Sequence, residues 1–227
     1  MKKLGIITFC LLSAGCSSQM SGNDIPAEKL EPQYTQGSPD QLFATGEKYA
    51  KGVGVSRNYA EAAKYYRGAA QMGNPKAQYA LGYMYRTGHG VPRDYNLSAK
   101  WFERAAAQGN SDAQYSLGVR YMLGQGTAQN NTKALGWFEK AAGQGNPYAE
   151  NQLGFMYAAG KYVPQNYGTS IQWYQKAADH GLASAQYNLG LMYQNGIGTP
   201  VDKARAQQLF GMAATQGFDP ARQSAEQ

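Results

Sequence analysis

The sequence predicts an all-helical solenoid, a stack of about five helical hairpins. The first observation behind this is a register: sliding the 227-residue chain against itself by 36 residues superimposes Gly46, Gly82, Gly118, Gly154 and Gly190 without a gap. Self-similarity at a fixed period of this length is the signature of stacked repeats. The second is the company these glycines keep. Tyr49, Tyr85, Tyr121, Tyr157 and Tyr193 follow three residues later, then Gly52, Gly88, Gly124, Gly160 and Gly196. Alanine pairs come next (Ala69-Ala70, Ala105-Ala106, Ala141-Ala142, Ala177-Ala178, Ala213-Ala214), each closed by a glycine. The third is a helix-start signal that recurs ahead of the second helix of every unit, at Asn58, Asp94, Asn130, Asn166 and Asp202.

The chain opens differently. Lys2 and Lys3 precede an apolar run from Leu4 to Leu12, too short to span a bilayer, and small residues follow it. Basic, apolar and small segments in this order read as an export signal over residues 1–15. Leu12-Ser13-Ala14-Gly15-Cys16 resembles the lipobox of bacterial lipoproteins. The resemblance implies cleavage before Cys16 and a diacylglycerol on its sulfur, and Ser17 in the next position implies sorting to the outer membrane, facing the periplasm. Multiple acyl chains on one terminus give stable anchoring. Cys10 leaves with the signal, so the mature chain holds no disulfide.

Residues 16–38 have no periodic apolar pattern and are rich in Ser, Gln, Pro, Gly and Glu, which reads as a flexible tether from the lipidated cysteine. As a free coil it would hold the body roughly 25 Å from the membrane. A short ordered strap along the first repeat is the alternative reading.

The body spans residues 39–227, with units near 39–74, 75–110, 111–146, 147–182 and 183–218. Formal charge falls from +6 to +4 once Lys2 and Lys3 are removed. That excess suggests anionic surfaces at most, and no nucleic-acid partner is expected. Lys48, Lys51, Arg57, Lys64 and Arg67 cluster in the first unit, with Lys76 just beyond it, and read as a solvated face.

Each unit divides into two helices. In the second, Asn74 caps and Pro75 begins a helix whose Ala77, Leu81 and Tyr85 recur at fours along one face, and Gly88 ends it. "GHGVPRD" turns the chain, and Asp94 caps a second helix whose Trp101, Phe102, Ala105 and Ala106 form a buried stripe before Gly109. Asn58, Asn130, Asn166 and Asp202 repeat the Asp94 cap. A glycine inside a helix costs about 1 kcal/mol relative to alanine, so its presence at Gly82 and its four counterparts calls for a packing reason. The expectation is that these glycines face the Ala105-Ala106 type pairs. A lone hairpin leaves its apolar stripe uncovered, so each must cover the next. Residues 219–227 are expected to begin a C-terminal capping helix.

The resulting consensus, A-x3-L-G-x2-Y-x2-G-x-G-V followed by W-[FY]-x2-A-A-x2-G, resembles the Sel1-like repeat family, relatives of the tetratricopeptide repeats. The resemblance implies a right-handed solenoid. Two positions depart from it: Tyr162 stands where other units have Gly54, Gly90, Gly126 and Gly198, and Leu209 replaces tryptophan. Tyr162 implies a different backbone in that turn, or a ring offered to a partner.

Repetition also settles how the histidines read. His89 aligns with Val53, Gln125, Lys161 and Ile197, so the fold has no use for an imidazole there. His89 and His180, with no cysteine or paired carboxylates, form no metal or nucleophile constellation, and each reads as a surface-loop residue. The Gly-x-Gly pairs lack the Lys and Ser/Thr of a phosphate loop. No catalytic, metal or cofactor site is expected.

Function is therefore sought on a surface. On the first helices the variable offsets carry Tyr79, Tyr83 and Arg86, then Tyr115, Val119 and Met122, then Phe155, then Tyr187. Of these, Tyr79, Tyr83, Arg86, Tyr115, Met122, Phe155 and Tyr187, together with Tyr162, are the candidate partner-binding residues; the alternative is that they form the seam between repeats. The leading reading is a non-enzymatic, membrane-anchored interaction scaffold of the bacterial envelope. Its partner would be an unidentified envelope or secreted protein, bound as an adaptor or immunity protein would bind. The family resemblance also admits a β-lactam-binding or hydrolysing enzyme, though those members carry disulfides this chain lacks, or a peptidoglycan-binding structural lipoprotein.

Overall fold

The structure, a computed structural model, describes Ile25 and residues 29–221. The export signal, Cys16, most of the expected tether and residues 222–227 lie outside the described residues. Those described form ten α-helices and one short 3-10 helix, with no strand among them. The helices pair as hairpins: α1 (Pro39–Lys51) with α2 (Tyr59–Gln71), α3 (Pro75–Thr87) with α4 (Tyr95–Ala107), and α5 (Ser111–Leu123) with α6 (Asn131–Ala142). The remaining pairs are α7 (Pro147–Ala159) with α8 (Tyr167–Asp179), and α9 (Ala183–Asn195) with α10 (Lys203–Thr215). The second helix of each hairpin packs on the first helix of the next, which makes the array a solenoid.

Caps hold the units in register. Asn74, Asn110 and Asn146 accept from the third backbone amide of the helices they start, and Asn58, Asp94, Asn130, Asn166 and Asp202 do the same for the second helices. Each first helix ends on a left-handed glycine, from Gly52 to Gly196. The caps also join units: Asn74 Nδ2 donates to Asp40 at 2.7 Å and Asn146 Nδ2 to Asp112 at 2.9 Å. Residues 219–221 are helical, where a capping helix was expected to begin.

The mid-helix glycines do not face the alanine pairs. A Cβ on Gly82 would lie 2.8 Å from the Phe102 ring, and Gly46, Gly118, Gly154 and Gly190 lie equally close under Tyr66, Phe138, Tyr174 and Phe210. The alanine pairs serve the other interface: Ala105 and Ala106 cluster with Ala113 and Leu117 of the next unit. Large ring against bare backbone closes each hairpin; small against small stacks the hairpins.

Two further expectations change. Tyr162 has φ +71, the left-handed backbone of its glycine counterparts, so its turn does not adopt a different conformation. In the neighbouring units a Cβ at Gly90, Gly126 or Gly198 would run into Tyr59, Tyr95 or Tyr167 of the preceding unit. At the junction of the third and fourth units both columns change together, with Tyr162 for glycine in the fourth and Asn131 for tyrosine in the third. Leu209 is buried as Trp101 is, whereas Trp137 and Trp173 at the same offset are half-buried.

The described end of the expected tether is ordered, as the strap alternative has it. Pro32–Tyr34 form the 3-10 helix and Tyr34 is buried against α2. Its hydroxyl donates to Glu61 at 2.7 Å and its ring meets Tyr65 edge-on at 5.0 Å. Room for this comes from Gly68, where any Cβ would strike the Tyr34 carbonyl; the other units carry Arg104, Lys140, Lys176 and Met212 there.

Candidate functional site

The first helices of successive units lie side by side, and their outward offsets line a groove. Its first depression, about 550 Å³, runs from Phe43 and Ala50 on α1 across Tyr79 and Tyr83 on α3 to Asp112 on α5. The second, about 390 Å³, is lined by Tyr79, Tyr83 and Arg86 on α3, Tyr115 and Arg120 on α5, and Tyr148 on α7. Four candidate residues from the sequence, Tyr79, Tyr83, Arg86 and Tyr115, thus share one cavity.

Their roles differ. Tyr83 is exposed, with the Arg86 guanidinium over its ring at 4.5 Å. Tyr79 and Tyr115 are half-buried and pack on Phe102 and Phe138 at 5.7 and 5.8 Å, so the hairpin seam and the groove share the same rings. Burial raises both phenols above the ordinary tyrosine value, which keeps them neutral hydrogen-bond donors. Tyr187 is half-buried against Phe210 and Phe218. Met122 packs into the core cluster around Phe138, and Phe155 is exposed on α7. Tyr162 lies in the turn after α7, its ring under Lys161 at 5.3 Å. None of these last four lines the shared cavity.

Sequence reasoning passed over Arg120. It is only 6% exposed, and its Nε is shielded with no hydrogen-bond partner. Burial, with the Arg86 charge adding to it, lowers its pKa from the ordinary arginine value, and the Tyr95 ring lies 5.8 Å from its guanidinium carbon. The signal was present in the 36-residue register: the column reads Lys48, Met84, Arg120, Met156, Met192, a charge in a mostly apolar column.

Both histidines are exposed and lie in turns, as the sequence suggests, and each has a partner. His89 stacks on Tyr59 at 5.3 Å and lines the first depression. His180, the C-cap of α8, contacts the buried Glu150 through Nδ1 at 2.8 Å. That contact occupies the place of a glutamine pair in other units: Gln108 to Gln78, Gln144 to Gln114 and Gln216 to Gln186. Among the described residues no group of three His, Cys, Asp or Glu side chains is placed to hold a metal, and no helix is long and apolar enough to cross a membrane.

A stack of identical hairpins that offers a variable groove defines an α-solenoid repeat protein. The family model described as Sel1 repeat matches five times, over residues 42–74, 75–110, 111–146, 147–182 and 183–218, and the chain belongs to that family. Among solved structures, a protective antigen present in uropathogenic Escherichia coli strains and displaying an SLR fold is 40% identical, with TM-score 0.75. The match covers 82% of this chain and 40% of the antigen, so this chain spans less than half of that protein's length. A Sel1 repeat protein from Oxalobacter formigenes is 34% identical with TM-score 0.78, over 84% of this chain and 78% of its own. An immunity protein from Pseudomonas aeruginosa shares the fold at 24% identity and TM-score 0.57, over 86% of this chain and 70% of its own. Comparison with curated proteins gives no match.

Proposed function

We propose that this chain is a non-enzymatic scaffold of the bacterial envelope, anchored through lipid on Cys16 to the outer membrane and facing the periplasm. It holds an envelope or secreted protein in the groove of its first helices, as an adaptor or immunity protein would, and acts by tethering or occluding that partner. One observation carries this reading: the groove offsets of Tyr83, Arg86 and Tyr148 change from unit to unit, while Tyr79 and Tyr115, which share one offset, and the caps, glycines and rings beneath them repeat. Aromatic and arginine side chains on a rigid support are the usual anchors of protein interfaces.

The test is site-specific photo-crosslinking in cells, with the photoreactive group at Tyr83 in the groove or at Met72, exposed at the end of α2. A discrete adduct from Tyr83 and none from Met72 is expected. Adducts equally from both, or from neither, overturn the groove. The anchor is tested separately by palmitate labelling, which Cys16→Ser should abolish.

A further inference from the structure

The position of Arg120 is unusual within its own chain. Three other units place a buried methionine at this offset, Met84, Met156 and Met192, so the hairpin needs no charge there. No carboxylate among the described residues forms an ion pair with Arg120, and its Nε has no hydrogen-bond partner. The Tyr95 ring, 5.8 Å away, is a weak offset, and burying a guanidinium with no carboxylate partner opposes folding. A charge kept in place of methionine therefore needs a return that the folded chain alone does not supply.

The surroundings indicate what supplies it. Arg120 borders the 390 Å³ cavity together with Arg86, and Tyr79, Tyr83, Tyr115 and Tyr148 form its aromatic walls. Its one lining carboxylate, Asp112, accepts from Asn146 at 2.9 Å. Two guanidinium groups against one carboxylate leave a single net positive charge, which matches a monoanion better than a phosphate dianion. Guanidinium forks bind carboxylates through two parallel hydrogen bonds, and phenol hydroxyls add donors beside them.

We propose that Arg120 and Arg86 form a carboxylate-binding site in the groove, which receives an acidic side chain or a chain-terminal carboxylate of the partner protein. The cavity opens between α3, α5 and α7, so the carboxylate is an anchor point within a longer contact. The proposal rests on the groove reading above for its partner, while the site itself stands on Arg120.

The test uses the soluble chain lacking residues 1–16, with ¹⁵N NMR of the arginine Nε–Hε signals. The probes are N-acetylphenylalanine, N-acetylglutamate α-amide, N-acetylphenylalanine amide as the uncharged control, and inorganic phosphate, at matched ionic strength. A carboxylate probe should shift the Arg120 and Arg86 signals saturably while the amide does not. Arg120→Met, which restores the residue of three other units, should weaken carboxylate binding about tenfold or more and raise the melting temperature. Arg120→Lys keeps the charge without the fork and should bind weakly while folding as the parent does. The proposal is overturned by no saturable shift with either carboxylate, by phosphate binding more tightly than both, or by unchanged binding in Arg120→Met. A lowered melting temperature in Arg120→Met would make Arg120 structural and overturn it as well. Crosslinking at Tyr83 separates the two readings: an adduct without carboxylate binding removes only the site, and carboxylate binding without an adduct removes only the protein partner.

Discussion

Gly82 of α3 lies directly beneath the ring of Phe102 of α4, so close that a Cβ on the glycine would sit 2.8 Å from the ring's Cδ1. This contact closes the hairpin and sets two opposing effects against each other. Alanine would favour the helix by about 0.5–1 kcal/mol, but forcing extra volume against a packed ring costs about 1–3 kcal/mol. The clash wins, because Phe102 is fully buried and its neighbours leave it nowhere to turn. Gly82→Ala should therefore destabilise the solenoid by about 1–2 kcal/mol. Gly136 supplies the control: it lies inside α6 with nothing within 4 Å of its missing Cβ. Gly136→Ala should stabilise by about 0.5–1 kcal/mol. Urea denaturation of both variants checks the pair, and equal effects would show that ring contact is not what keeps Gly82.

The same reasoning predicts how the strap behaves. Gly68 leaves bare backbone for Tyr34 to lie against, whereas the equivalent offset carries lysine in the third and fourth units, at Lys140 and Lys176. Gly68→Lys should lift the strap off α2 and leave the hairpins intact. The Tyr34, Thr35 and Gln36 amides, which now donate to Glu31 and Pro32 carbonyls at 3.0 Å, should then exchange with solvent at rates near those of a free peptide. Unchanged protection at those three amides would show that the strap is held by contacts other than this one.

These two elements show where the sequence was legible. The hairpins, caps and stacking could be read because each signal recurs five times, and a weak local preference gains weight on every repetition. The direction in which Gly82 faces could not: helical spacing places it on the buried side, but only the crossing of α3 and α4 decides whether a ring or a methyl group covers it. The strap was hidden for the opposite reason. It occurs once, and its partner signal, Gly68 in a column of long side chains, lies 34 residues from Tyr34 along the chain. Arg120 was readable in principle, as a charge in a column with three methionines, but its meaning depends on Arg86 and Tyr148 arriving from neighbouring units.

The rings over the glycines differ in one respect that alkali exposes. Tyr66 and Tyr174 occupy the place held by Phe102, Phe138 and Phe210, and burial pushes each phenol up to about 12. In the unfolded chain they ionise near pH 10, so between pH 10 and 12 the unfolded state releases protons that the folded state keeps. Stability from these groups is fully present below pH 10 and is lost as pH rises through 12, by about 1.4 kcal/mol per pH unit for each. The Tyr66→Phe/Tyr174→Phe variant should lose correspondingly less stability than the parent over that window, with lysine titration common to both. Parallel melting curves for the two proteins from pH 9 to 12 would show that neither phenol is the cause.

Glu150 offers the sharpest use of one unit as a control for another. Gln78, Gln114 and Gln186 each donate Nε2 to a carbonyl of the preceding helix, those of Ala70, Ala106 and Ala178, at 3.1 to 3.3 Å. The same glutamines accept from the next glutamine along at 2.7 to 2.9 Å. A glutamate has no amide N–H to give Ala142, and at 2% exposure it relies on His180 in place of water. Removing that partner should be costly, because a buried carboxylate loses its donor: His180→Ala should destabilise by about 2–3 kcal/mol. Glu150→Gln should instead stabilise by about 1 kcal/mol, since it regains the bond to the Ala142 carbonyl and still accepts from the imidazole. In the Glu150→Gln background His180→Ala then removes a neutral hydrogen bond only, and its cost should fall to about 1 kcal/mol. A double-mutant cycle by chemical denaturation measures the difference as the coupling between the two side chains. Strict additivity would mean that Glu150 is satisfied without His180, and that the substitution of this pair for two glutamines is neutral to the fold.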